Sequence, residues 1–299
     1  MYYIQLSMIK FRSTSSNNSC KSSKMTIDTQ SSHSTSASNP VWEEMAIVKI
    51  GGNIVDNPEA LETFLADFHR LEGRKLLVHG GGVMASKMAR QLGIETKMVD
   101  GRRITDAETL KLVTMVYAGW INKSIVASLQ KLGCQALGLS GADANTIPAK
   151  RRSPEPIDFG FVGDPDATDI NTDFLSLLIE NKITPVFCAI THDGNGSLLN
   201  TNADTVAYSL ASALCQNYRT TLYYCFEKEG VLKNVDDPQS RIASMNKAEY
   251  ESYKNGEIIA GGMIPKLDNA FKALENGVSE VIILHAKNLL KKQGTRLNL

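Results

Sequence analysis

From Met45 onward, short apolar runs alternate with longer segments whose apolar positions recur every three to four residues. The run "MAIVKI" (45–50) ends in Gly51-Gly52, and 58–71 then carries a helical period through Leu61, Phe64, Leu65 and Phe68. A second run, "KLLVH" (75–79), stops at Gly80, Gly81 and Gly82, and a helical pattern resumes over about 83–92. The same reading predicts strands at 135–139, 184–189, 220–226 and 280–285, and helices at 106–131, 171–181, 203–216, 246–254 and 263–276. Strand and helix in alternation predict an α/β fold with a mostly parallel sheet covered on both faces. In such sheets ligands sit beyond the carboxyl ends of the strands, so the two glycine-ended strands should converge on one crevice.

The pattern fails before Pro40. Residues 13–39 are dominated by Ser, Thr and Asn, hold one acid at Asp28, and show neither period. We expect a low-complexity, disordered leader over 1–42 and a folded domain over 43–299. A start codon placed too early, with Met25 or Met45 as the true start, is the other reading. Arg12 is the only arginine of the leader and no amphipathic helix emerges, which argues against a transit peptide.

Composition narrows the class. With 299 residues, 42% hydrophobic and 21% charged, the chain can bury one large or two modest cores. Thirty-two basic residues balance thirty-two acidic ones without a basic block, so neither nucleic acid nor an anionic membrane is an expected partner. The five cysteines are odd in number and scattered, without a C-x-x-C pair or a His/Cys cluster at metal-ligand spacing. They read as reduced thiols of a cytoplasmic protein. No apolar stretch is expected to reach the roughly 18 residues that a membrane span needs.

Three consecutive glycines at the mouth of a helix let backbone N–H groups approach a guest closely, and an anion suits unpaired N–H groups at a helix start. A tight strand-to-helix turn is the plainer reading of the same residues. Neither a Walker loop nor a G-x-G-x-x-G fingerprint is present. Lys49 sits near the end of a run of Ile and Val, where an unpaired ammonium is costly to bury. Lys266 falls near the start of a helix, following Gly261-Gly262, where a cation opposes the helix dipole unless an anion answers both. Asn202 or Asp204 can cap the helix that begins near 203, and Asp204 can also hold both ammonium groups. His79 reads best as a structural histidine closing its strand.

Taken in order, "VKIGG", "VHGGG" (78–82), "GRRIT" (101–105), "NTNAD" (200–204), "GGMIPK" (261–266) and the terminal "GTR" (294–296) resemble the N-acetylglutamate kinases of the amino acid kinase family. The resemblance spans about 45–299. It implies a three-layer α/β/α sandwich and a homodimer, with the acyl amino acid toward the N-terminal half and the nucleotide toward the C-terminal half, from about 185. It further implies that Lys49 and Lys266 stabilise the phosphoryl group in flight while Asp204 orients them. By the same resemblance Gly51, Gly52 and Gly81 supply phosphate-binding N–H groups, with Gly262 beside the nucleotide phosphates. Gly81 and Gly82 border the substrate, and Arg103 with Asn200 holds its α-carboxylate. The cofactor implied is ATP with Mg2+, the metal carried mainly by the phosphates and not by a protein metal site.

The residue types suit that chemistry. A γ-carboxylate of pKa about 4.3 is ionised at neutral pH, so positioning and charge neutralisation carry the step without a general base. Arg103 can bond both oxygens of a carboxylate at once. Two segments depart from the family pattern. "CFEKEGV" (225–231) puts Glu227 and Lys228 where a Ser/Thr-Asp-Val turn is usual, and "SGADA" (140–144) has Ala142 for a lysine while keeping Asp143. With the spare bases Arg102, Lys150, Arg151 and Arg152, they leave N-succinylglutamate as an alternative substrate and a non-catalytic binding protein as a third reading. Carbamate kinase and aspartokinase are disfavoured by Arg103 and "NTNAD". Because the leader lacks the amphipathic helix that joins arginine-sensitive relatives into hexamers, a dimer insensitive to arginine is expected.

Overall fold

The computed structural model describes residues 42–99, 101–259 and 261–299, and the leader expectations fall outside them. Eight strands form the central sheet: β1 (Glu44–Ile50), β2 (Arg74–His79), β3 (Ala136–Leu139), β4 (Thr184–Cys188), β5 (Arg219–Phe226), β6 (Ser244–Asn246), β7 (Glu280–His285) and β8 (Gly294–Asn298). Their spatial order is β6-β8-β7-β5-β1-β2-β4-β3. Every neighbouring pair is parallel except β7 and β8, which run antiparallel. The chain leaves β1 for β2 on one side and returns with β5 on the other, so β1 lies at the point where strand order reverses, the usual place for a ligand crevice.

The helices are α1 (Gly52–Val55), α2 (Pro58–Arg70), α3 (Gly82–Gln91), α4 (Ala107–Lys131), α5 (Thr172–Glu180), α6 (Ala203–Leu214), α7 (Lys247–Asn255) and α8 (Met263–Glu275). Because side chains alternate along a strand, β1, β2, β3, β4, β5 and β7 each feed two cores. Met45, Ile47, Leu76, Val78, Leu222 and Tyr224 pack under α5, α6 and α8. Val48, Ile50, Leu77, Tyr223 and Cys225 pack under α2, α3 and α4 on the other face. The result is the expected three-layer α/β/α sandwich. Local chemistry sets the helix starts: Asn57 accepts from Ala60 N at 3.1 Å ahead of α2, which begins with Pro58. Asn246 and Glu249 form a reciprocal capping box at α7.

Helix α4 runs unbroken through 25 residues and is long and apolar enough to cross a membrane by length and composition, with a mean hydropathy of 1.2 over its most apolar stretch. The expectation that no stretch reaches that length is therefore corrected at this one helix. Its apolar residues Leu112, Val113, Val116, Ile121, Ile125 and Leu129 are buried against the sheet, so the hydropathy belongs to a core-facing helix. The middle of α4, Met115–Ile121, is wound as π-helix, which turns Tyr117 toward the crevice.

Strands β6 and β8 and three short hairpins at 98–103, 149–165 and 190–200 were not foreseen, since strands of two or three residues carry no readable period and the five-residue β8 is part exposed and mostly polar. These hairpins frame the crevice: Met98, Arg102, Arg103, Arg152 and Asn200 all line it.

Candidate active site

Lys49 shares the face of Met45 and Ile47, four and two residues earlier, and so points at α6 and α8. Asp204 stands in the first turn of α6 and Lys266 in the first turns of α8. The three meet: Lys49 Nζ lies 2.7 Å from Asp204 Oδ1, and Lys266 Nζ lies 2.9 Å from Asp204 Oδ2. Both lysines are only 8% exposed. The cap of α6 is Asn202, whose side chain accepts from Asp204 N at 2.7 Å, which leaves the Asp204 carboxylate to the lysines. Of the two capping readings, Asn202 is the cap.

Burial opposes the charge on Asp204, but attraction to Lys266 and Lys49 overrides it and holds the carboxyl far below its ordinary pKa. Burial lowers the pKa of Lys266, and Asp204 restrains that shift. Lys266 Nζ also lies 5.1 Å from the Tyr224 ring centroid and 5.9 Å from that of Phe226. Tyr224 sits opposite Lys49 in the β1–β5 register and donates its hydroxyl to Asp204 O at 3.1 Å. These aromatic neighbours were not foreseen.

A cavity of about 430 Å³ opens from Lys49 and Asp204. Gly52, Gly81 and Gly82 line it, and α3 has no side-chain cap, which leaves its first N–H groups without a side-chain partner. Gly51 is different. Its N–H donates to Cys225 O at 2.9 Å, extending the β1–β5 ladder, so the donor at this turn is left to Gly52. Gly81 has a packing reason beside any ligand: a Cβ there would stand 2.4 Å from Ile121 Cδ1 and 2.7 Å from Tyr117 Cδ1. Gly262 precedes α8 by one residue, exposed, with no atom within 4 Å of where a Cβ would be.

Arg103, 8% exposed, lines the same cavity. Its Nη2 donates to Ser86 Oγ at 2.7 Å and to Gly82 O at 3.1 Å, while the buried Nη1 has no protein partner. Asn200 lines the same cavity and donates to Thr105 Oγ1 at 3.0 Å. Ser86 and Tyr117, both on the wall, were missed, because nothing in their local sequence separates them from ordinary helix positions. Of the spare bases, Arg102 and Arg152 line the cavity, and Arg152 is answered by Asp164 through Nε at 2.9 Å. Arg151 instead donates to Gly160 O and covers the Phe161 ring at 4.7 Å, and Lys150 is exposed.

The two departing segments lie apart. Glu227 borders a separate cavity of about 300 Å³ with Asn57, His285 and Lys287, and Lys228 Nζ reaches Val235 O. Asp143 accepts from Ser140 N at 2.6 Å and Ser140 Oγ at 2.8 Å, folding its own turn beside Ala142. Among the described residues no group of three or more His, Cys, Asp or Glu could hold a metal.

The sequence model of the amino acid kinase family matches residues 44–285. An acetylglutamate kinase of Cytophaga hutchinsonii is 53% identical over 262 residues, covering 85% of this chain and 98% of its own. An acetylglutamate kinase of Parabacteroides distasonis is 51% identical over 255 residues, covering 85% and 99%. Among solved structures, the smu.665 protein of Streptococcus mutans UA159 superposes with a TM-score of 0.73 at 24% identity, covering 85% of this chain and 98% of that one, a likeness of fold. With the matched segment holding most of both cores and the Lys49–Asp204–Lys266 cluster, the chain belongs to the amino acid kinase family.

Proposed function

We propose that the chain transfers the γ-phosphoryl group of ATP to the γ-carboxylate of N-acetyl-L-glutamate, a reading supported by relatives that are named acetylglutamate kinase. The observation that carries the reading is one buried carboxylate bridging two buried ammonium groups beside a cavity that a half-partnered arginine also lines. Lys49, Lys266 and Asp204 together bear one net positive charge, and they bear it before substrate arrives. That charge, with the Gly52, Gly81 and Gly82 N–H groups, is fixed in place to meet the negative charge of a phosphoryl group between two oxygens.

In this reading a γ-carboxylate oxygen forms the new P–O bond while the bond to the β-phosphate bridging oxygen breaks, giving an acylphosphate and ADP. The substrate α-carboxylate takes the free Nη1 of Arg103, with Asn200 beside it. The substrate then lies on the Gly81–Arg103 side, and the nucleotide lies beyond, against the half from about 185, with Gly262 near its phosphates. A Mg2+ ion accompanying ATP would be held chiefly by the phosphates, which Mg2+ prefers to an all-protein cage. The metal when bound neutralises phosphate charge. The described cysteines Cys134, Cys188, Cys215 and Cys225 are free thiols, as suits the cytoplasm. A homodimer completes the reading, by family resemblance.

The test is product trapping. Purified chain with ATP, Mg2+ and N-acetylglutamate should give an acylphosphate that hydroxylamine converts to a hydroxamate. Arg102 on the cavity wall keeps N-succinylglutamate in the assay as the competing substrate. A kcat/KM ratio favouring the succinyl compound would replace the acetyl assignment. Failure with both acylglutamates would return the chain to a binding role.

A further inference from the structure

His79 closes β2 immediately before the three glycines, fully buried, and the reaction above gives it no task. Its ring is held at both nitrogens. Asn122 Nδ2, from α4, lies 3.0 Å from Nε2, and Gly80 O lies 2.8 Å from Nδ1. The Asn122 amide is oriented independently, since Nδ2 also donates to Val186 O at 2.9 Å and Oδ1 accepts from Lys123 Nζ at 3.2 Å. Nδ2 therefore meets Nε2 as a donor. The ring proton is then on Nδ1, which donates it to Gly80 O. Burial lowers the His79 pKa to about 4, so this neutral tautomer persists near neutrality.

The Gly80 carbonyl and the Gly81 N–H belong to one trans peptide, in which C=O and N–H point in opposite directions. His79 shares the parity of Leu77, whose face is covered by α2, α3 and α4. Lys49 and Asp204 stand on the opposite face, and Gly80 and Gly81 line the cavity beside them. Drawing the carbonyl toward His79 turns the Gly81 N–H toward the cavity. Between two glycines, backbone sterics alone do not fix that orientation.

We propose that His79 is a positioning residue for phosphoryl transfer: its Nδ1–H pins the Gly80–Gly81 peptide so that the Gly81 N–H faces the charge that develops in the reaction, and Asn122 pins the ring. The proposal rests on the phosphoryl-transfer reading of the cavity.

The experiment compares His79→Asn, which keeps an N–H donor near the place of Nδ1, with His79→Leu, which fills similar volume without one. Using the full chain, kcat and KM for ATP and N-acetylglutamate are measured well below each variant's melting temperature. His79→Leu should lose about 100-fold in kcat, the scale for one misplaced oxyanion donor, with both KM values within about threefold of wild type. His79→Asn should recover most of that kcat even though it loses a comparable amount of thermal stability. Equal kcat losses in the two variants, tracking their melting temperatures, would overturn the proposal, as would a full kcat in His79→Leu. If His79→Leu does not fold, Asn122→Ala decides: a kcat reduced about tenfold at unchanged KM supports the proposal, and an unchanged kcat refutes it. No product from the wild-type chain would instead defeat the phosphoryl-transfer reading itself.

Discussion

Lys266 Nζ and Asp204 Oδ2 stand 2.9 Å apart although the residues are 62 positions apart in the chain, joined only because α6 and α8 cover the same face of the sheet. A buried ion pair is weak evidence of stabilisation, because desolvating the charges costs about as much as their attraction returns. Here one carboxylate faces two ammonium groups, leaving a net positive charge buried beside a cavity. Such an arrangement is better explained by an anionic guest than by the fold's own needs.

The first prediction follows. Lys49→Ala and Lys266→Ala each cancel the net positive charge of the cluster but leave Asp204 one partner, so folding should survive. Each should lower kcat by at least about 100-fold, consistent with losing one electrostatic contact to the transferring group. Asp204→Asn should behave differently. It leaves two buried cations facing each other, and a loss of roughly 3–5 kcal/mol in stability should accompany the loss of activity. Circular-dichroism melts beside the hydroxamate assay separate the cases; a stable, active Asp204→Asn variant would refute the account.

Much of this was readable beforehand, and the limits have physical causes. Period-2 and period-3.6 patterns located six of the eight sheet strands, because each of those strands buries residues on both faces. The antiparallel β8 and the crevice hairpins escaped, being short or half exposed. Lys49 and Lys266 stood out because each was out of place chemically in its own segment, and Asp204, an ordinary residue for a helix start, drew notice only as a counter-charge to them. Tyr224 and Phe226 did not, since aromatic residues in a buried strand are ordinary until register sets Tyr224 opposite Lys49. Gly51 misled for the same reason: whether an N–H is free depends on the ladder to Cys225.

Gly81 offers a prediction about packing. A methyl group there would meet the Ile121 and Tyr117 side chains well inside contact distance, and both belong to the π-helical part of α4. Gly81→Ala should cost about 1–3 kcal/mol through overpacking and raise KM for the acylglutamate by displacing Tyr117 from the cavity wall. Gly82→Ala meets only Tyr117 Oη at 3.9 Å, so its stability should be near wild type while catalysis falls. Thermal melts with equal losses for the two variants would contradict this contrast.

Arg103→Lys keeps the charge but not the fork. With Nη2 bound to Ser86 and Gly82 and Nη1 free, the arginine can serve the protein and the substrate at once, whereas the single ammonium of a lysine cannot reproduce both. KM for N-acetylglutamate should rise at least about tenfold with KM for ATP little changed. A chain lacking residues 1–40 should keep wild-type kinetics and sediment as a dimer with and without arginine; a hexamer or arginine inhibition would overturn that expectation.

Acid stability gives the last prediction. The folded pKa of His79 is lowered from 6.5 to about 4 by burial, so the folded chain binds fewer protons than the unfolded chain between those values. Stability from this residue is complete above about pH 6.5 and is lost as pH falls toward 4, a total of roughly 3 kcal/mol for a group this deeply buried. Asp204 acts in a lower window. Its pKa is also lowered, so its contribution is present above the ordinary carboxylate value of 3.8 and is lost only as pH falls below that toward its folded pKa. Melting temperatures should therefore decline in two stages, the first between pH 6.5 and 4 and the second below 3.8. His79→Asn has no proton to gain and should flatten the first stage while leaving the second. A wild-type slope retained between pH 6.5 and 4 in His79→Asn would assign that proton uptake to another residue.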